Sequence, residues 1–223
     1  MEGWMNRCTL CPRRCGADRT VSVGRCGVGE QVRLARAALH FWEEPCVSGA
    51  EGSGTVFFSG CSLGCVFCQN YQISAGHFGR DIPVERLAEI FLELQEQKAN
   101  NINLVTGGHY IPQIVRALDL VRGKLHIPVV YNSSGYETVE ALRMLKGYVD
   151  VYLPDLKYRS PERGARYSHA PDYFAVASKA ILEMLDQVGP VQFDGRGMIQ
   201  RGLIVRHMVM PNGVEDSMDI LTW

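Results

Sequence analysis

Seven of the eight cysteines stand in two tight sets, and this limits what the chain can become more than any other feature. The first set is Cys8-x2-Cys11-x3-Cys15 followed by Cys26. The second is Cys61-x3-Cys65-x2-Cys68, and Cys46 stands alone. No apolar run approaches the roughly 20 residues of a membrane span, and the opening segment Met1–Cys8 has no signal-peptide core. The expectation is a cytoplasmic protein without a membrane partner. In a reducing compartment, clustered thiols bind metal more readily than they form disulfides.

The 223 residues suffice for one large α/β domain with a small appendage. Hydrophobic content of 46% and charged content of 21% are ordinary for a globular chain. A formal net charge of −1 gives no electrostatic case for nucleic acid. Residues 1–50 are rich in Cys, Arg and Gly and show little helical or strand periodicity. They read as a Cys-rich metal-binding region, connected through Glu43-Glu44-Pro45 to a second unit over residues 51–223.

In that second unit the hydrophobic pattern alternates between two periods. Thr55–Ser59, Ile102–Thr106, Ile127–Asn132, Asp150–Leu153 and Leu203–Met210 read as strands. Between them, apolar stripes predict helices at Pro83–Ala99, around Ile111–Val121, around Val139–Leu145, and at Tyr173–Val188. Alternating strands and helices with short connections imply a parallel sheet, open or curled into a partial barrel. Ligands of such folds bind at the carboxyl ends of the strands. The chemically unusual residues here all follow strands.

The second cysteine set lies just after the first of these strands, in Gly60-Cys61-Ser62-Leu63-Gly64-Cys65-Val66-Phe67-Cys68. Iron–sulfur clusters normally take four thiolates. Three thiolates on a 4Fe–4S cubane leave one iron open to a substrate. Zinc with His77 or Cys46 as fourth ligand is the alternative. The N-terminal set offers four thiolates, which close a site: a structural zinc, or an auxiliary iron–sulfur cluster passing electrons to the first.

The C-x3-C-x2-C loop, with an aromatic before its third cysteine, resembles the radical S-adenosylmethionine (SAM) superfamily. Residues 55–210 are most similar to its pyruvate formate-lyase activating enzyme branch, although the N-terminal cysteines are an addition that ordinary members of that branch lack. The resemblance implies a partial (β/α) barrel and reductive cleavage of SAM to methionine and a 5′-deoxyadenosyl radical. A flavodoxin or ferredoxin would be the reductant, and a protein loop or a small molecule the hydrogen donor. It places Phe67 near the adenine and Gly107-Gly108 at the methionyl amino group, with His109 where the branch has an acid. It places Asn132 and its serines at the ribose and carboxylate, and Asp155, Lys157 and Arg206 or His207 at further SAM contacts.

The segment Glu215–Trp223 starts like a helix, and five major strands fall short of the family's six, so the C-terminal end is expected to be incomplete. The rival readings are a non-catalytic zinc-binding module and a degenerate remnant of an enzyme.

Overall fold

The described strands pair into one eight-stranded sheet, in the order 80–82, 32–40, 53–58, 102–105, 129–133, 151–154, 199–203 and 192–193. This is a computed structural model, and it describes residues 3–223. Helix α1 (Gly3–Asn6) precedes a knuckle of turns, then β1 (Val32–His40), α2 (Pro45–Ser48), β2 (Ser53–Phe58), α3 (Tyr71–Ser74), β3 (Arg80–Ile82) and α4 (Val84–Glu96). Next come β4 (Ile102–Val105), a 3-10 turn (Gly108–Tyr110), α5 (Ile111–Leu120), β5 (Val129–Ser133), α6 (Val139–Met144) and β6 (Val151–Pro154). The chain continues through α7 (Pro161–Ser168), α8 (Tyr173–Val188), β7 (Gln192–Phe193), β8 (Ile199–Leu203) and α9 (Val214–Leu221). Strands β2, β4, β5, β6 and β8 are parallel, and β1, β3 and β7 run antiparallel at the edges. The chain therefore has the mixed α/β, mostly parallel fold expected of a partial barrel, with its Cys-rich segment at the N-terminus.

Period-two alternation sorts the strand residues between two faces. On one face Val56, Phe58, Leu104, Tyr131 and Tyr152 join Leu87, Phe91, Ile114, Leu142 and Met184 from the helices in the largest core. Each such side chain, fully buried, contributes about 1.5–3 kcal/mol. On the other face Val130, Val151, Leu153 and Ile199 meet Val47 of α2, with Cys46 packed alongside. The Asn101 side chain donates to Val47 O at 2.7 Å and Asn100 to Ser48 O at 2.7 Å. Helix α2 is thereby fastened beside the N-terminal ends of β2 and β4, leaving the carboxyl ends free.

Helix starts are local decisions. Thr138 Oγ1 accepts the Ala141 N–H at 3.2 Å at the start of α6, and Ser160 Oγ accepts the Arg163 N–H at 3.2 Å above Pro161 in α7.

Three expectations need correction. The stretch 32–40 is a nine-residue strand with most positions only part-buried, so neither face carries the alternation that reveals a strand. The last parallel strand lies at Ile199–Leu203, not at Leu203–Met210. Beyond Leu203 only the bridge between Asp155 and Arg206 continues the pairing, and Val205, Met208 and Val209 are 40%, 49% and 60% exposed. Nor does the sheet stop at five strands: β7 pairs with the outer side of β8, and β1 and β3 extend the other edge.

Candidate metal and cofactor site

Strand β2 delivers the chain to Gly60, whose φ of +85° favours glycine and whose imagined Cβ would lie 2.6 Å from Cys26 O. Gly64, at φ +71°, turns the loop back between Cys61 and Cys65. All three loop thiols are half-buried, and each receives a donor: the Leu63 N–H at 3.4 Å to Cys61 Sγ, Ser168 Oγ at 2.9 Å to Cys65 Sγ, and Ser74 Oγ at 3.3 Å to Cys68 Sγ. Burial pushes the Cys61 and Cys65 thiols up, opposed at Cys65 by the Ser168 hydrogen bond and the charge of Lys157. A bound cation would remove that penalty by fixing the thiolates.

These thiols line one cavity of about 450 Å³ at the carboxyl ends of the strands. Phe67, Asn132, Asp155, Lys157 and His207 line it too, as do Thr106, Ser133, Ser134 and Arg206. Phe67 is set edge-on to Tyr158 and Tyr167, at centroid distances of 6.4 and 6.3 Å. Asp155 pairs with Lys157 on one oxygen and with Arg206 Nε at 3.1 Å on the other. Arg206 also donates to Asn132 Oδ1 at 2.5 Å and faces Glu43 at 3.4 Å.

Three expected residues sit differently. Gly107 and Gly108 are not among the lining residues. A Cβ on Gly107 would press Ile114 at 2.7 Å and one on Gly108 would overlap the Glu137 carboxylate, so both serve close packing of the turn. The backbone strain at this strand end is carried by Thr106, a β-branched residue at φ +60° whose N–H donates to Asn132 O at 2.9 Å. His207 borders the cavity, but its two ring nitrogens meet Leu156 O at 2.6 Å and Ser217 Oγ at 2.8 Å, tying it to α9.

The N-terminal cysteines form a second assembly. A methyl at Gly24 would touch Cys26 Sγ at 3.3 Å and Cys15 Sγ at 3.5 Å. Cys8 and Cys26 lie close enough to Cys11, and Cys8 and Cys15 close enough to Cys26, for their charges to act on one another. Among the described residues, no three His, Cys, Asp or Glu side chains converge tightly enough to grip a single ion. Burial pushes the Cys11 thiol to about 12. Burial also raises Cys26, against the charge of the buried Arg19 guanidinium. At exposed Cys15, partial burial acts upward, but peptide N–H groups of Ala17 and Arg25 outweigh it and bring the thiol below its ordinary value.

The two assemblies touch. Cys61 N–H donates to Cys26 O at 3.3 Å. Arg13, from the knuckle, donates to Ser62 O at 2.9 Å, Leu63 O at 3.3 Å, Ser168 O at 2.9 Å and His169 O at 2.5 Å. Arg19 donates to His109 O at 2.6 Å, and His109 Nε2 donates to Ser59 O at 2.8 Å.

Residues 55–217 match the radical SAM superfamily. The chain belongs to that superfamily. It is also 34% identical over 216 residues to an uncharacterized protein of Methanocaldococcus jannaschii, covering 93% of this chain but only 58% of that relative. Radical SAM membership implies a 4Fe–4S cluster and SAM. The donor set fits: three thiols on one cavity, each already offered a hydrogen bond, with no fourth thiol of that loop to close the cluster. Among the described residues no helix is long and apolar enough to cross a membrane.

Arg206, which lines this radical SAM cavity, and Glu43, which pairs with it from outside the lining, are the residues least visible in sequence. Arg206 was one of two alternatives on what read as a strand, and Glu43 lay in a presumed connector. Their one sequence signal is charge beside an apolar run.

Proposed function

We propose that this chain is an enzyme in which Cys61, Cys65 and Cys68 hold a site-differentiated 4Fe–4S cluster. The observation that carries this is the sharing of one cavity by the three loop thiols and the polar strand ends. When bound, the cluster and SAM together supply a 5′-deoxyadenosyl radical, with methionine as coproduct, for hydrogen abstraction from a substrate.

The chain's own residues do the rest. Leu63 N–H, Ser74 and Ser168 donate to the thiolate sulfurs and favour their charged form. Lys157 and Arg206 bring positive charge to the cavity for the ligand's carboxylate, and Asp155 holds both side chains in place. Asn132, Ser133 and Ser134 offer short polar groups suited to ribose, and Phe67 offers an aromatic face for adenine. Gly107 and Gly108 act behind the cavity, by letting the 3-10 turn approach Glu137 and α5. The four N-terminal thiols hold a second metal centre, zinc or iron–sulfur. The substrate class in keeping with the resemblance is a glycyl-radical-type protein loop, with a small molecule as the alternative.

Anaerobic reconstitution with iron and sulfide, followed by dithionite and SAM, tests the reading. Formation of 5′-deoxyadenosine, lost in Cys65→Ala, supports it. Zinc in both sites and no 5′-deoxyadenosine would reduce the chain to a metal-binding module.

A further inference from the structure

The knuckle has an inside and an outside. Three of its cysteines, Cys8, Cys11 and Cys26, are buried, and Cys15 is exposed. Cys26 is the inner exit: its own carbonyl accepts the N–H of Cys61, a ligand of the proposed catalytic cluster. From Cys26 sulfur to Cys61 sulfur the path is covalent except for that single hydrogen bond of 3.3 Å. Gly60 makes this approach possible, since a side chain there would collide with Cys26 O and with Val28.

The outer side is charged and partly apolar. Residues 1–40 hold seven arginines, no lysine and three acids, a net +4, whereas the remainder of the chain carries −5. Arg7, Arg14 and Arg25 are exposed, and Arg14 adjoins Cys15 while the Arg25 N–H points at its sulfur. Val21 and Val23, 83% and 62% exposed, stand on the same knuckle. The acids nearby are Asp18, whose carboxylate is engaged by Thr20, Glu30 just before β1, and Asp81, which is paired with Arg33 at 2.7 Å. A structural zinc needs neither an exposed ligand with an exposed arginine beside it in the chain nor a bonded route to the second cysteine set.

We infer that the N-terminal four-thiol site is an electron relay: an iron–sulfur cluster that takes one electron at its Cys15 side from an acidic one-electron carrier protein and passes it through Cys26 to the Cys61 loop. This inference rests on the radical SAM reading above. The carrier is oxidised by one electron, the catalytic centre is reduced by one, and no bond or proton moves. Electrostatic attraction between the arginine face and an acidic carrier would set the rate of encounter and make it salt-dependent.

The test uses the full chain, reconstituted anaerobically, with flavodoxin hydroquinone as the protein donor and dithionite as the small one. A Cys61→Ala/Cys65→Ala/Cys68→Ala variant should keep about four iron and four sulfide per chain and give the EPR signal of a reduced cluster. An Arg14→Glu/Arg25→Glu variant, which leaves every cysteine in place, should slow reduction by flavodoxin about 10-fold or more and flatten its salt dependence. Its dithionite-driven 5′-deoxyadenosine formation should stay within about twofold of the parent, because dithionite needs no protein docking face. Zinc in the triple variant, or a flavodoxin rate indifferent to charge reversal, would overturn the relay while leaving the catalytic reading intact. Absence of 5′-deoxyadenosine with dithionite in the parent protein would instead remove the catalytic reading.

Discussion

The knuckle of Cys8, Cys11, Cys15 and Cys26 and the loop of Cys61, Cys65 and Cys68 use the same side chain under different constraints. The loop hangs from the carboxyl end of β2, and its sulfurs border a cavity shared with Asn132, Asp155 and Arg206. The knuckle supports itself with turns, such as Gly27 N–H to Gly24 O at 2.9 Å and Gly16 N–H to Cys8 O at 2.9 Å, and turns exposed arginines outward. Four donors complete a coordination shell, and three leave a place for a ligand. The surroundings differ as well: the three loop thiols line their cavity directly, whereas a cavity of about 400 Å³ on the knuckle is lined by Arg19, Gly27 and Val28 but by none of its cysteines. Thiol number therefore speaks to stoichiometry, while the neighbouring residues speak to what the metal exchanges with.

The sharpest way to break this comparison is to remove donors from one side at a time. Replacing Cys61, Cys65 or Cys68 with Ala should lower 5′-deoxyadenosine formation below detection while the N-terminal iron persists. Turnover near that of the parent in any of the three would end the assignment. Cys8→Ala should cost more in folding than in chemistry. If the knuckle holds the proposed metal, losing a ligand should lower thermal stability, because so small a segment lacks a core of its own, yet SAM should still bind the protein that remains folded. Loss of SAM binding in a folded Cys8→Ala protein would show that the two sets are one site.

Arg13→Ala attacks the seam instead. It removes donors to four carbonyls, and the expected loss is on the order of 2 kcal/mol in urea unfolding, with slower flavodoxin-driven turnover. An unchanged unfolding midpoint would mean the seam is held elsewhere.

The next effect is a pH dependence. Burial raises the Glu137 carboxyl from 4.5 to about 8, with Tyr131 acting in the opposite direction. The native state then keeps a proton that the unfolded chain releases. Its stabilising share is complete below pH 4.5 and is lost as pH rises through about 8. Glu137→Gln should remove at least about 1 kcal/mol of that decline, read as the difference in urea midpoints at pH 5 and pH 8. Identical pH profiles for the two proteins would show the carboxyl to be ionised in its pocket. Smallest of all, Cys46→Ser should leave iron content unchanged, because Cys46 packs with Val47 and Val130 rather than with either set. Loss of about four iron atoms would contradict this.

Much of this arrangement was legible in the sequence. The cysteine spacings gave both sets, and the apolar stripes placed α4, α5, α6 and α8 because each helix buries one face against the sheet. What escaped detection had physical reasons. Strand β1 has no fully buried face, so its period is blurred. Leu203–Met210 is apolar enough to read as a strand, but Gly202 at φ +128° lies against Val191 and the chain leaves the sheet after Leu203. Gly107 and Gly108 pack closely against Ile114 and Glu137 and are not among the cavity-lining residues, and nothing in the local pattern marks those neighbours. The Glu43–Arg206–Asp155 ion-pair network spans the chain from before β2 to after β8, a separation at which no local pattern survives.

The reach of Arg13 bears on how the protein is made. Its carbonyl partners at Ser168 and His169 lie 155 and 156 positions downstream. Cys68, the last of the loop thiols, precedes Ser168 by 100 positions. At synthesis rates of about 5–20 residues per second, a nascent chain carries both complete cysteine sets for about 5–20 s before the clamp and the Ser168 hydroxyl can form. Once α7 arrives, the guanidinium ties the loop backbone at Ser62 and Leu63 to Ser168 and His169, so the loop gains this support only long after its last thiol has been made.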